Sequence, residues 1–172
     1  MKVIFLDIDG VLNCQLSKSR YKGMLGVDDD KVQLLKDIVD STGAVIVLTS
    51  TWKVDWFKCE YIEDLPAMGG YLVKKLKNFR LHILDKTEDK EWASRGDGIK
   101  EWIKNSKVNV ESFVILDDEI FDYDEENLMN NLVKTSFYGE FGGLQPSHIQ
   151  KAVNILNNSS YTSEGETPNE MD

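Results

Sequence analysis

Carboxylates and hydroxyls follow three apolar runs of the sequence, and their chemistry suits metal and phosphate binding. The runs are residues 3–6, 44–48 and 113–116. The polar residues that come after them are Asp7, Asp9, Thr49, Ser50, Asp117 and Asp118. Carboxylates placed close together repel one another unless a cation neutralises them. Because a donor set made only of oxygen is typical of Mg²⁺, the pattern predicts a magnesium site.

The three apolar runs are typical of strands. Each is short, continuous and rich in β-branched residues, as in strands buried on both faces of a parallel sheet. Residues 81–84 and 132–136 are weaker strand candidates. Ligands of parallel sheets bind beyond the carboxyl ends of the strands. We therefore expect the four carboxylates and two hydroxyls to meet at one edge of the sheet.

Helical patterns lie between the predicted strands. They occur at residues 28–43, where Gly43 is expected to end the helix, and after Pro66, Ser94 and Pro146. Ser94 and Asp97 have the spacing of a capping box. Strands alternating with helices predict an α/β fold, a three-layer doubly wound parallel sheet.

Each part of the pattern has a simpler explanation when taken alone. Acidic residues followed by Gly10 are common in turns, although an EF-hand calcium loop would need its glycine two residues later. Asp117 and Asp118 could merely begin a solvated acidic run, and Thr49 and Ser50 could cap a helix. The functional interpretation depends on the complete set, with each group directly after a buried strand.

The sequence resembles the haloacid dehalogenase (HAD) superfamily of phosphohydrolases over residues 1 to about 156. Four motifs carry the resemblance: FLDIDGVLN (5–13), VLTSTW (47–52), a basic residue opening a helix (Arg95 in SRGDGIKEWI), and VILDDE (114–119). The stretches TSTWK, SRGDGIKEWI and GGLQPSHIQKAVNIL look most like small capless HAD proteins related to RNA-repair phosphatase domains. The resemblance implies a Rossmann-like HAD fold without a large cap domain.

The resemblance also implies a Mg²⁺-dependent phosphatase that forms an aspartyl-phosphate. Asp7 would be the nucleophile, and Asp9 would protonate the leaving oxygen and then activate water. Mg²⁺ would be held by Asp7, the backbone carbonyl of Asp9 and a carboxylate of the fourth motif, with Asp118 favoured over Asp117. Gly10 would let the chain turn sharply away from the site.

The remaining implied roles concern the phosphoryl group. Thr49 would hydrogen-bond a phosphoryl oxygen, and Arg95 would clamp the developing charge. Ser50 is the alternative to Thr49. Lys86 and Lys90 are the alternatives to Arg95.

The substrate is expected to be large, because the site should be open. Residues 11–27 and 85–93 are the positions at which HAD proteins carry caps, and both are too short for a cap domain. An open site suits a nucleotide or polynucleotide end, or a neighbouring subunit that acts as a lid. Four residues of the first segment could hold substrate phosphates or stack a base, or could belong to a solvated loop. They are Lys18, Arg20, Tyr21 and Lys22.

Charge and composition limit the partners and the location. The net charge of −10 argues against non-specific nucleic-acid binding, although residues 117–126 and 157–172 carry much of it. Within the first of these, residues 122–126 are expected to form a solvated loop that points away from the site. Residues 157–172 have almost no aliphatic side chains, which predicts a disordered acidic tail after one HAD-like domain, residues 1–156. The absence of a long apolar run and of a C-x-x-C pair favours a cytoplasmic protein without a membrane span.

Two other functions and one packing question stay open from the residues. A non-catalytic HAD-fold module could bind a phospho-ligand or a protein, although the chain keeps both Asp7 and Asp9. A phosphotransferase would pass the phosphoryl group to an alcohol instead of water. Trp52 and Trp56, one turn apart in a helix, are expected to pack in the core.

Overall fold

Strands and helices alternate along the chain. The computed structural model describes residues 1–90 and 94–158. The strands are β1 (Lys2–Leu6), β2 (Arg20–Tyr21), β3 (Met24–Leu25), β4 (Val45–Leu48), β5 (Ile83–Lys86), β6 (Ser112–Asp117) and β7 (Leu132–Lys134). The α-helices are α1 (Asp29–Thr42), α2 (Ala67–Asn78), α3 (Arg95–Asn105) and α4 (Pro146–Asn157). Short 3₁₀ segments span Thr51–Asp55, Ile62–Asp64 and Met129–Asn131.

The main sheet is parallel, with the strand order β5-β4-β1-β6-β7. The chain moves outward from β1 to β4 and β5, then crosses to β6 on the other side of β1. The strand order therefore reverses between β1 and β6, and doubly wound sheets bind ligands at such a point. Asp7 follows β1, and its N–H donates to the carbonyl of Leu116 in β6 at 3.0 Å. The first and fourth motifs thus lie side by side at this reversal.

Alternate residues of β1 pack into two cores, one on each face of the sheet. Ile4 and Leu6 contact apolar residues of α1, α2 and α4. Val3 and Phe5 contact α3 and apolar residues between β6 and β7 on the opposite face. All four side chains are fully buried. The predicted three-layer α/β fold is confirmed, and the continuous apolar run of β1 reflects burial on both faces.

The helix and strand boundaries agree with the sequence in most places. Gly43 ends α1 in the left-handed conformation, with φ +68°. The weak strand predicted at 81–84 instead spans Ile83–Lys86. Leu81 lies in the turn that follows α2, where its N–H donates to the carbonyl of Leu76 at 3.0 Å and its side chain is buried. The last strand is shorter than the predicted 132–136.

The N-terminus of α3 is capped by Asp122 and not by Ser94. The Ser94 side chain makes no capping hydrogen bond. The N–H groups of Gly96 and Asp97 donate to the Asp122 carboxylate at 2.6 and 3.0 Å. A carboxylate is favourable there because the first N–H groups of a helix carry partial positive charge. The predicted capping box at Ser94 is therefore wrong.

The prediction that residues 122–126 point away from the site is also wrong. Tyr123 is fully buried between β6 and α3, and it draws this segment back against the sheet. Glu126 forms an ion pair with Lys100 of α3 at 2.9 Å. The solvated part is confined to Asp124 and Glu125, which are exposed.

No large cap domain occurs in the part of the chain that the structure describes. Residues 11–27 contain the small hairpin of β2 and β3. The hairpin packs on α2, because the rings of Tyr21 and Tyr71 stack with their centroids 4.3 Å apart. Residues 91–93 of the second possible cap position lie outside the described residues.

Most of the predicted acidic tail is likewise outside the described residues, which end at 158. Asn157, its first residue, is the last residue of α4. Among the helices in the described residues, none has the length and apolar character needed to cross a membrane.

Candidate active site

A cavity of about 230 Å³ opens beyond the carboxyl ends of β1 and β6. Its lining combines acidic, basic, hydroxyl and aromatic side chains from four separate loops and the start of α3. The lining residues are Asp7, Asp9, Thr51, Arg95, Asp118, Glu119, Phe121, Phe137 and Tyr138. The fold thus brings members of all four motifs to one place.

A buried cluster of charges forms the floor of the cavity. One guanidinium nitrogen of Arg95, Nη1, donates to Asp7 Oδ1 and to Asp117 Oδ2, both at 2.9 Å. The hydroxyl of Tyr123 donates to the same Asp117 oxygen at 2.7 Å. Arg95 is 7% exposed, and Asp117 and Tyr123 are fully buried. A single cation therefore serves two buried carboxylates.

Three consecutive residues after β6 hold Arg95 in place. The ring of Phe121 lies 4.1 Å from the guanidinium carbon of Arg95, Asp122 caps the helix that Arg95 begins, and Tyr123 holds Asp117. Phe121 has a φ of +47°. This left-handed conformation costs a bulky residue about 1–2 kcal/mol, and such strain is often found at functional sites. Here it places the ring over Arg95.

The electrostatics of the cluster favour a cation. Burial raises the pKa of Asp7 to about 7, with a further rise from the charge of Asp117, while Arg95 opposes both. Burial also raises the pKa of Asp117, again opposed by Arg95. The pKa of Asp118 is raised to about 6 by burial and by its neighbours Asp117 and Glu119. Arg95 opposes the rise for Asp7 and Asp117, and a further cation beside the carboxylates would favour their ionised forms.

These carboxylates fit a divalent metal ion. Asp7, Asp117 and Asp118 each offer one oxygen, and the three oxygens lie within 4.8 Å of one another. Anionic oxygen ligands suit hard divalent cations. Asp117 already accepts hydrogen bonds from Arg95 and Tyr123, whereas Asp118 lines the cavity. The geometry therefore leaves Asp118 the freer of the two carboxylates.

Gly10 makes room for Asp118. Its φ is +78°, and a Cβ added there would lie 2.3 Å from Asp118 Cγ. No side chain fits at that distance. Thr135 Oγ1 donates to the Gly10 carbonyl at 2.5 Å and fixes the turn from the end of β7. The expected sharp turn is present, and it serves the fourth motif as well as the first.

The carboxylate of Asp9 is held by two donors that the sequence interpretation did not identify. Asn13 Nδ2 donates to Oδ1 at 2.8 Å, and Trp52 Nε1 donates to Oδ2 at 2.9 Å. Asn13 is the last residue of the motif FLDIDGVLN, and Trp52 is the last residue of the motif VLTSTW. Their place in these motifs is the feature of the sequence that could have identified them as site residues. Trp56 is buried in the core as expected, whereas the ring of Trp52 is half-buried with its N–H directed at Asp9.

The hydroxyl that lies beside Asp7 belongs to Ser50. Thr49 is fully buried, and its Oγ1 has no hydrogen-bond partner within the described residues. Burial and Asp117 raise the pKa of Asp7, and the neighbouring Ser50 hydroxyl lowers it. The next residue, Thr51, lines the cavity and was not predicted. The arrangement therefore favours Thr51 as the hydroxyl that faces the cavity, with the fully buried Ser50 beside Asp7.

The other predicted basic residues do not reach the cavity. Arg20 folds back onto its own loop, since Nη1 donates to the carbonyls of Ser17 and Ser19 at 2.5 and 2.8 Å. Lys86 donates to the carbonyl of Lys53 at 3.1 Å. Lys90 pairs with two acidic residues on the outside of α3, Asp97 and Glu101. Of the basic residues proposed from the sequence, only Arg95 is in the cavity lining of the described residues.

A comparison with known families agrees with this geometry. A family model of the HAD domain in Swiss Army Knife RNA repair proteins matches residues 3–144 of the chain. The chain belongs to this HAD family. The matched segment includes every residue that lines the cavity. No curated protein and no solved structure matches the chain. The resemblance inferred from the four motifs is confirmed at the level of the family.

Proposed function

We propose that the protein is a Mg²⁺-dependent phosphatase that hydrolyses a phosphomonoester through an aspartyl-phosphate on Asp7. One observation carries the proposal: Asp7 lies in a buried cluster with Arg95 and Asp117 at the floor of an open cavity. Membership of a HAD family supports the same reaction. The carboxylate cluster supports the metal requirement.

Asp7 is the nucleophile in this proposal. One of its carboxylate oxygens forms a bond to phosphorus while the ester oxygen on the opposite side departs. The carboxylate and the phosphate are both negative, so their approach needs positive charge nearby. Mg²⁺, held by Asp7, Asp117 and Asp118, would supply charge that stabilises the ionised form of Asp7 and the transferring phosphoryl group. Arg95, which donates to Asp7, supplies further positive charge.

Asp9 moves the proton. Its carboxylic acid protonates the departing oxygen, and the resulting carboxylate then takes a proton from the water that attacks phosphorus and frees Asp7. Asn13 and Trp52 keep the carboxylate in one orientation for both steps, since each donates to a different oxygen. A fixed orientation matters because proton transfer requires hydrogen-bond distance to the moving oxygen.

The phosphoryl oxygens are bound by Arg95, Ser50 and Thr51. Arg95 presents guanidinium N–H groups, which match phosphate oxygens in geometry and charge. Ser50 is buried beside Asp7, whose pKa it lowers, and would bind an oxygen of the group that Asp7 accepts. Thr51 lines the cavity next to it. Thr49 is fully buried and is not among the described residues that line the cavity.

The substrate is a nucleotide or a phosphorylated nucleic-acid end. The family comprises domains of RNA repair proteins, and this supports a nucleic-acid phosphate. The cavity is open to solvent and is not covered by a large cap in the described residues, so the group that carries the phosphate can be large.

Phosphate release tests the proposal. The protein and its Asp7→Asn variant are compared, with and without Mg²⁺, on nucleotides, sugar phosphates and oligonucleotides phosphorylated at the 3′ or 5′ end. We expect turnover that requires Mg²⁺ and is lost in the variant. The proposal fails if folded protein releases no phosphate from any of these compounds. Binding without turnover would instead favour a non-catalytic phospho-ligand module.

A further inference from the structure

Aromatic side chains contribute to the lining of the cavity. Phe121, Phe137 and Tyr138 all line it. The ring of Phe121 covers the guanidinium of Arg95, which gives this residue a role within the protein itself. Phe137 is half-buried, and Tyr138 is 70% exposed. The phosphoryl chemistry needs neither ring, and an exposed ring at the mouth of a charged cavity gains nothing from the protein's own core.

The two remaining rings are held in position before any substrate arrives. The N–H of Gln15 donates to the carbonyl of Phe137 at 2.8 Å, and the N–H of Gly143 donates to the carbonyl of Ser136 at 2.7 Å. The Ser136 hydroxyl bonds to both the N–H and the carbonyl of Tyr138, at 3.1 and 3.0 Å. The rings of Phe137 and Tyr138 pack edge to face, 5.2 Å apart. Little ordering is then needed when a ligand binds.

We propose that Tyr138, supported by Phe137, stacks against the nucleobase of the substrate whose phosphate Arg95 binds. This inference rests on the proposed phosphatase function and narrows its substrates to esters in which a base lies close to the phosphate. Every nucleobase has a flat face that can stack on an aromatic ring. A sugar phosphate without a base has no such face and would leave Tyr138 in water.

The charges near the cavity favour stacking over a long electrostatic contact. Glu119 lines the cavity beside Asp118, and Arg20 is turned toward its own loop. Among the described residues that line the cavity, Arg95 is the one cation, so the lining offers no further positive side chain to phosphates beyond the one that reacts. A mononucleotide and the terminal nucleotide of a strand share the chemistry of one base and one phosphate, and the experiment separates them.

The test compares substrates that differ only in the base. Values of kcat/KM are measured for a nucleoside 5′-monophosphate, ribose 5-phosphate and a short 5′-phosphorylated oligonucleotide. We expect the wild type to prefer the nucleotide over ribose 5-phosphate by about tenfold or more, as base stacking on an aromatic side chain allows. Tyr138→Ala should remove most of this preference, whereas Tyr138→Phe and Tyr138→Trp should keep it.

Phe141→Ala is the matched control. Phe141 is 78% exposed in the same loop and is not among the described residues that line the cavity. Its substitution should leave the preference unchanged. The inference is overturned if the wild type has equal kcat/KM values for the nucleotide and ribose 5-phosphate. It is also overturned if Tyr138→Ala lowers both values by the same factor, since that indicates a structural role.

Calorimetry keeps this inference separate from the proposed reaction. The Asp7→Asn protein is titrated with the nucleoside monophosphate and with ribose 5-phosphate, with and without Tyr138→Ala. Tighter binding of the nucleotide that depends on Tyr138 supports stacking even if no compound is turned over. Equal binding of the two ligands contradicts it. Relative binding of the mononucleotide and the oligonucleotide then shows which of them the site accepts better.

Discussion

The inner and outer parts of the cavity differ in burial, charge and the way they are held. The inner part, which comprises Asp7, Arg95, Asp117 and Tyr123, is buried and joined by side-chain hydrogen bonds of 2.7–2.9 Å. The outer part comprises Phe137 and Tyr138, which are held through the backbone while their rings face the opening. Changes to the inner part should therefore alter charge and chemistry together. Changes to the outer rings should alter the choice of substrate and leave the fold intact.

The largest effect is expected from removing the inner nucleophile. Asp7→Asn keeps the shape of the side chain but cannot form an aspartyl-phosphate, so kcat should fall by about 10⁴-fold or more, as when a covalent nucleophile is removed. Asp124→Asn, at an exposed carboxylate, is the matched control and should change kcat less than twofold. Phosphate-release assays measure both. Activity of Asp7→Asn within tenfold of the wild type would place the nucleophile elsewhere.

The next effect concerns the shared cation. Arg95→Lys keeps the charge but loses the planar group that reaches Asp7 and Asp117 from one position. We expect kcat/KM to fall by about 10²- to 10³-fold, the range seen when a preorganised donor is removed. Lys90→Met removes an exposed cation that precedes the helix and pairs with acidic residues on its outer face, and it should have almost no effect. Similar losses in both variants would mean that general surface charge, and not the inner cluster, governs the rate.

A smaller effect is expected from the donors that orient Asp9. Trp52→Phe retains most of the ring but removes the N–H that donates to Asp9, and we expect kcat to fall about tenfold, in line with the loss of one hydrogen bond to a charged group. Trp102→Phe is the matched control. Trp102 Nε1 also donates to a carboxylate, that of Asp85, with an N···O distance of 3.1 Å, and neither residue is among the described residues that line the cavity. Equal losses of kcat in the two variants would contradict the orienting role.

The smallest effect is on stability and depends on pH. The pKa of Asp7 is raised to about 7 from an ordinary value of 3.8, so the folded state holds this proton more tightly than the unfolded chain does. The folded state therefore loses stability as pH rises from about 4 to about 7. Because asparagine does not titrate, metal-free Asp7→Asn should melt a few degrees higher than the wild type at pH 8, since 1 kcal/mol corresponds to about 2–4 °C for a chain of this size.

Thermal unfolding with a chelator present measures this difference. The gap between the two melting temperatures should narrow at pH 4, where Asp7 is protonated in the folded state and close to half-protonated in the unfolded chain. Added Mg²⁺ should raise the melting temperature of the wild type more than that of the variant. A variant that melts lower than the wild type at pH 8 would show that the ion pair with Arg95 outweighs the burial of Asp7.

The sequence predicts the fold and the inner carboxylates well because both depend on local patterns. Continuous apolar runs identify the buried strands, and the residues directly after them are brought together by the parallel sheet. The choice between Thr49 and Ser50 was harder, because adjacent side chains at the end of a strand point in opposite directions. Thr49 and Ser50 are both fully buried, but Ser50 lies beside Asp7, and of these adjacent hydroxyl residues Thr51 lines the cavity. The local sequence does not fix which of them faces the nucleophile.

Contacts between distant residues account for what the sequence did not predict. Asp122 caps a helix that begins at Arg95. Trp52, in the segment that follows β4, donates a hydrogen bond to Asp9. Nothing in the local pattern around Asp122 distinguishes it from the exposed acids beside it. The capping role depends on the buried ring of Tyr123, which turns the segment back toward α3.

The central claim, that Asp7 carries the phosphoryl group, can be tested by trapping the intermediate. The protein is mixed with Mg²⁺ and a substrate that it turns over, treated at once with borohydride, digested, and analysed by mass spectrometry. An acyl phosphate at Asp7 would be reduced, so this account predicts homoserine at position 7 only when both substrate and Mg²⁺ are present. Unmodified Asp7 during rapid phosphate release, or reduction at another carboxylate, would contradict it.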